Sequence, residues 1–152
     1  IRDCLLSRGL GDVYKRQVRN WYGKNPLRLV IDKELSLPAD LKLFDKSVPT
    51  VVFTAREAIS KPNLTYVSLD FSQNILPQIM GELTERKIQS LLVEGGSLLL
   101  QSFLDEELWD EIFIEHSTQI LRRGVAAPAV KEGYPCDYEL QDNNICVSHY
   151  YR

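Results

Sequence analysis

Four short apolar runs punctuate the chain: Leu27-Arg28-Leu29-Val30-Ile31-Asp32, Thr50-Val51-Val52-Phe53-Thr54, Leu64-Thr65-Tyr66-Val67-Ser68-Leu69 and Ser90-Leu91-Leu92-Val93. They are nearly continuous rather than alternating, which is the pattern of strands buried on both faces. Asn25-Pro26, Pro49 and Pro62-Asn63 introduce the first three. From Asn74 to Lys87 the period lengthens: Leu76, Ile79, Met80 and Leu83 share one helical face, and Gln78, Glu82, Glu85 and Arg86 the other. Ser72 or Asn74 can cap this helix, and Pro77 falls in its first turn, where a missing N–H costs little. A second helix is predicted from about Ser97 to Leu104, and a fifth strand from Trp109 to Glu115. After a loop around Arg122–Pro128, Tyr138–Gln141 and Ile145–Tyr150 read as a hairpin turned by Asp142-Asn143-Asn144. Buried strands joined by helical crossovers predict an α/β fold: a mostly parallel open sheet with flanking helices and a C-terminal antiparallel hairpin.

The first residues break this pattern. Ile1–Gln17 has no sustained period of two or 3.6. Asp12-Val13-Tyr14-Lys15-Arg16-Gln17 back-translates to GATGTGTATAAGAGACAG, the end of a transposon-based sequencing adapter. Ser7-Arg8-Gly9-Leu10-Gly11 fits the adapter bases just upstream, and Ile1-Arg2-Asp3 fits those before the index. The expectation is therefore that residues 1–17 are non-native and that 18–152 form one domain entered part-way through, at Val18. The other reading is a native N-terminal arm.

Composition narrows the class. A length of 152 residues suits one core, and 44% hydrophobic with 26% charged residues is ordinary for a water-soluble domain. The net charge of −3, with no basic patch, argues against a nucleic-acid partner. No apolar run approaches the roughly 20 residues a bilayer requires. Cys4, Cys136 and Cys146 make no disulfide framework. Cys136 and Cys146 could face each other across the hairpin, but reduced thiols in a cytoplasmic protein are the expectation. His116 and His149 lack ligand-spaced partners, so no metal is expected.

The chemistry concentrates at Val93-Glu94-Gly95-Gly96-Ser97, where a strand meets a helix. Two glycines admit a ligand close to the backbone. The helix that follows offers free N–H groups and its positive dipole end to phosphate oxygens. Glu94 could bond a sugar hydroxyl or a nearby cation. The competing reading is a tight connection with a solvated carboxylate at the helix start.

These motifs resemble a known family. Leu92-Val93-Glu94-Gly95-Gly96-Ser97-Leu98-Leu99-Leu100, then Ser102-Phe103-Leu104, then Leu108-Trp109-Asp110-Glu111-Ile112, resembles the reductase domain of the bifunctional riboflavin-biosynthesis deaminase–reductase. Asn25–Asp32 resembles that family's Pro-x-Arg-Val-Val-Leu-Asp strand, and Val18-Arg19 the end of its Asp-Asn-Pro-x-Leu-Thr-Val-Arg segment. Gly124–Pro128 sits where the family has a Gly-containing loop. The resemblance implies a dihydrofolate-reductase-like fold and NADPH as cofactor. The implied reaction is hydride transfer to C1 of the ribosyl group of 5-amino-6-(5-phosphoribosylamino)uracil, giving the ribitylamino product.

By the same resemblance Glu94 is the catalytic, substrate-contacting carboxylate, and Arg19 contacts the substrate's ribose phosphate. Gly95, Gly96, Ser97, Leu98, Leu99, Leu100, Gln101 and Ser102 line the cofactor. Lys33 stands where the family often has a small polar residue. This departure could meet the 2′-phosphate of NADPH, or it could be a solvated strand end. A homodimer and a small pyrimidine ribosyl phosphate substrate are implied as partners. The family's first strand and helix lie upstream of the stretch matching Val18. The expectation is that this chain lacks them, keeps an open edge in mid-sheet and turns over weakly at best. A dihydrofolate-reductase-like or pre-deamination pyrimidine reductase remains open, as does a non-catalytic nucleotide-binding or dimerisation domain.

Overall fold

The computed structural model describes residues 4–7, 23–118, 123–141 and 145–152, which fall in two compact units, Ile1–Gly96 and Ser97–Arg152. The first unit holds a five-stranded sheet of β1 (Cys4–Ser7), β2 (Leu27–Ile31), β3 (Thr50–Thr54), β4 (Leu64–Ser68) and β5 (Leu91–Val93) in the order β4-β3-β2-β1-β5. Every pairing in it is parallel. β3 is buried along its whole length and β2 at all positions but its first, as continuous apolar runs require of strands covered on both sides.

Helix α1 (Ile75–Glu85) connects β4 to β5 and buries Leu76, Ile79 and Leu83. Met80, placed on the same face by its spacing, is only half-buried. Of the two predicted caps, Asn74 is the one used: its side-chain oxygen accepts the Leu76 N–H at 3.0 Å.

One expectation is corrected here. The pattern of Ile1–Gln17 predicts no element, and the resemblance implies a sheet missing a strand in its middle. Instead the backbone of Cys4–Ser7 stands between β2 and β5, with Cys4 level with Leu27 on one side and Leu91 on the other. The physical reason is the demand of the flanking strands. Buried backbone N–H and C=O groups must be paired, and a short extended segment in parallel register supplies partners whatever its origin.

The second unit opens with α2 (Ser97–Asp105), which buries Leu99 and Phe103. β6 (Glu111–Ser117), β7 (Cys136–Gln141) and β8 (Ile145–Tyr151) follow as an antiparallel sheet in the order β6-β8-β7. The hairpin predicted from Tyr138–Gln141 and Ile145–Tyr150 is thus present, and its turn, 142–144, lies outside the described residues. β6 begins at Glu111 rather than Trp109, whose ring instead packs edge-on against Tyr134 at 4.7 Å. Cys136 pairs with Tyr150 and Cys146 with Leu140, so the thiols do not face each other and both are free.

Candidate active site

Because all five strands of the first unit run parallel, their carboxyl ends share one edge of the sheet. Open α/β sheets bind ligands beyond that edge. Lys33 follows β2 there and Glu94, Gly95 and Gly96 follow β5, with β1 between the two strands. At about 4.8 Å per strand, the ends of β2 and β5 lie roughly 10 Å apart. Glu94 and Lys33 are both exposed. Arg19 lies outside the described residues.

Gly96 stands in open space. A Cβ placed on it would meet no atom within 4 Å, and its φ is not in the left-handed region. Among the described residues neither packing nor backbone conformation requires glycine at this position, and Gly81 and Gly124 stand in equally open space. The open space beside it is room that a bound group could use. The fit to an anionic dinucleotide rests on that room and on the helix that starts at the next residue, whose first N–H groups have no intrahelical acceptor.

Within α2 the six residues expected to line the cofactor, Ser97 to Ser102, divide. Ser97 and Leu98 occupy the first turn, and the Leu98 side chain is exposed. Leu99 is turned into the core beside Phe103 in the burial pattern, so only its backbone can reach a ligand. Leu100 is half-buried. Gln101 is committed to the protein: its Oε1 accepts the Ala129 N–H at 2.9 Å and its Nε2 donates to Asp105 at 2.9 Å. Ser102 Oγ donates back to the Leu98 carbonyl at 2.9 Å. Ser97 and the backbone of the first turn are the parts of this helix placed to meet an anion.

Sequence reading overlooked what organises the edge. Asp32, buried at the end of β2, accepts the N–H groups of Ser36 (2.9 Å) and Leu37 (3.0 Å) and so folds the loop that displays Lys33. The available signal was an acidic residue closing an apolar run. Among the described residues no group of three or more His, Cys, Asp or Glu could hold a metal ion, and no helix is long and apolar enough to cross a membrane.

Residues 6–146 match the model of the RibD C-terminal domain family. The chain belongs to that family. It is similar to the riboflavin biosynthesis protein RibD of Aquifex aeolicus, with 31% identity over 107 residues, covering 68% of this chain and 30% of that one. It is also similar to a 2,5-diamino-6-ribosylamino-4(3H)-pyrimidinone 5′-phosphate reductase of Archaeoglobus fulgidus, at 29% identity over 126 residues, covering 78% and 57%. Among solved structures, a deaminase/5-amino-6-(5-phosphoribosylamino)uracil reductase from Thermotoga maritima superposes with a TM-score of 0.81 at 27% identity, covering 99% of this chain and 45% of that one. The Saccharomyces cerevisiae riboflavin biosynthesis reductase Rib7 shares the fold, with a TM-score of 0.74 at 17% identity over 98% of this chain and 75% of Rib7. The fold is therefore dihydrofolate-reductase-like, as the family resemblance implied. The chain spans well under half of the RibD relative's length.

Proposed function

We propose that this domain carries out the reductase step of riboflavin biosynthesis: NADPH-dependent reduction of the ribosyl group of 5-amino-6-(5-phosphoribosylamino)uracil. The observation that carries this reading is the turn Glu94-Gly95-Gly96-Ser97, where a glycine the fold does not need opens space at a helix start beside an exposed carboxylate. Backbone N–H groups at the first turn of α2, with Gly95 and Gly96, would hold the dinucleotide's phosphates. NADPH held there would supply the hydride that C1 of the ribosyl group receives. The bond from C1 to the ring oxygen opens, and that oxygen takes up a proton to become the ribityl hydroxyl. Glu94 contacts the substrate and orients it; Arg19 meets its ribose phosphate.

A second substrate has a specific observation behind it. The Archaeoglobus relative is named for reduction of the diaminopyrimidinone, the form that still bears the amino group, and matches over more of its length than RibD does. Depletion assays with the two pyrimidines separate the readings.

The turn itself is tested by Gly96→Val. Thermal stability is expected to change by less than about 1 kcal/mol, because the space is open, while NADPH binding, followed by fluorescence, weakens tenfold or more. Unchanged binding would remove the turn from the cofactor site.

A cytoplasmic homodimer is part of the same proposal. It is supported by the outward face of β6 and β8, where exposed Phe113 stacks on His149 at 4.3 Å beside exposed Tyr151. Residues 1–17 are proposed to be translated adapter, and resequencing the source locus tests that.

A further inference from the structure

Between β6 and β7 the chain returns past α2, and two contacts fix how it lies. The Lys131 ammonium stands 3.7 Å from the carboxylate of Glu107, just past the carboxyl end of α2. Two residues earlier, Ala129 is held by Gln101 in the middle of the helix. The Ala129 N–H donates to Gln101 Oε1 at 2.9 Å, and its carbonyl accepts from Gln101 Nε2 at 3.4 Å. Followed toward its N-terminus, the segment therefore climbs α2 toward the amino end of the helix. Gln101 lies about 6 Å along the axis from Ser97, and two extended residues span about 6.6 Å. Ala127 is thus level with Ser97, and Val125 and Gly124 reach past the first turn. Pro128 supports that course, because its ring fixes its own φ and keeps the preceding Ala127 extended.

The segment is held at its base and open above it. Residues 123–127 are all exposed, whereas Pro128 is half-buried. Val125 is 86% exposed, and Leu98, in the first turn of α2, is 73% exposed. Two large apolar side chains therefore stand in water at the same end of the helix, and each gains free energy if it is covered. A side-chain amide suits the base of such a segment. It accepts the N–H and donates to the carbonyl of one residue, as a neighbouring strand would.

We propose that Gln101 is a positioning residue: through Ala129 it sets residues 124–128 as a strap that closes over the dinucleotide at the amino end of α2. The inference rests on the reading of that helix end as the place of the pyrophosphate. Closure carries Val125 toward Leu98 and takes both side chains out of water against the ligand. Gln101 acts without touching the cofactor, so its amide is spent on the protein although it lies within the stretch expected to line the ligand.

Trypsin reads the strap directly, since exposed Arg123 immediately precedes it. In the full chain, saturating NADPH is expected to slow cleavage after Arg123 roughly tenfold relative to cleavage after exposed Lys46. Gln101→Met keeps the length of the side chain and removes its hydrogen bonds. It should abolish most of that protection and speed NADPH dissociation, followed by stopped-flow fluorescence, about fivefold, with the association rate little changed. Gln101→Glu keeps the acceptor for the Ala129 N–H and should fall between the two. Val125→Ser, which leaves the Ala129 anchor in place, should speed dissociation about threefold. Circular dichroism verifies the fold of each variant, and the Val125 variant together with the unsubstituted chain carries the test if Gln101→Met does not fold. NADPH that binds without slowing cleavage after Arg123 overturns the strap and leaves the cofactor reading standing. Protection and dissociation unchanged in Gln101→Met overturn the role of Gln101. A chain that binds no NADPH overturns the strap together with the reading beneath it.

Discussion

The two units solve the same packing problem in opposite ways. In the parallel sheet, β3 is buried at every position. In the antiparallel sheet, β6 alternates between exposed and half-buried residues along its first five positions. A parallel strand is covered on both faces because its crossover connections return over the sheet. An antiparallel strand turned by a hairpin can leave one face in water. The same residue type therefore carries different weight in the two places. It also follows that the first unit can spend its strand ends on chemistry, since its interior is settled by continuous apolar runs.

The sharpest way to break this comparison is a matched pair of truncations. Phe53→Ala in β3, where the ring is fully buried, is expected to cost about 3–5 kcal/mol in chemical denaturation. Phe113→Ala in β6, where the ring is 53% exposed, is expected to cost less than about 1 kcal/mol. Equal losses would show that the outward face of β6 is covered after all, as a dimer through that face would cause. Repeating the Phe113 measurement across protein concentrations distinguishes that case.

A smaller effect concerns charge. The parallel unit buries Arg28, which donates to the Leu43 carbonyl at 3.0 Å and to Asp45 at 3.2 Å and thereby holds the 42–45 turn against the start of β2. Its Nε has no partner among the described residues. Arg28→Ala is expected to destabilise by about 2–4 kcal/mol, through lost packing and stranded acceptors. Arg28→Met, which fills the space without a charge to desolvate, should cost no more than about 1 kcal/mol. If methionine proves as damaging as alanine, the guanidinium contributes through its bonds rather than its bulk.

The smallest effect is a titration at the exposed edge. Ser72 Oγ, and then the Ser72 N–H, hold the Asp70 carboxyl below its ordinary value. A depressed carboxylate adds stability above its unfolded pKa and loses it as pH falls through the folded one. Ser72→Ala should raise the Asp70 pKa toward the usual carboxylate range, read by NMR, with little change in stability at neutral pH. An unmoved Asp70 titration would mean that Ser72 is a bystander.

The sequence by itself determined the order of the elements and their class. Short apolar runs favour extended, water-excluding strands, so β2, β3, β4 and β5 were legible within a residue or so, and the 3.6 period with Asn74 and Pro77 located α1. The turn at Glu94–Ser97 was legible because paired glycines between a strand and a helix are a local feature. What only the tertiary structure decided is long-range. Strand order put Cys4–Ser7 between β2 and β5, against expectation, because backbone pairing is indifferent to side-chain pattern in so short a segment. Burial turned the Leu99 side chain inward, hydrogen bonds engaged Gln101 and Ser102, and the Thr54 hydroxyl joined the strand ends that carry Lys33 and Arg56. Those facts depend on which residues meet across the sheet, and hydrophobic periodicity, which records only whether a position faces water, carries no information about the partner it meets.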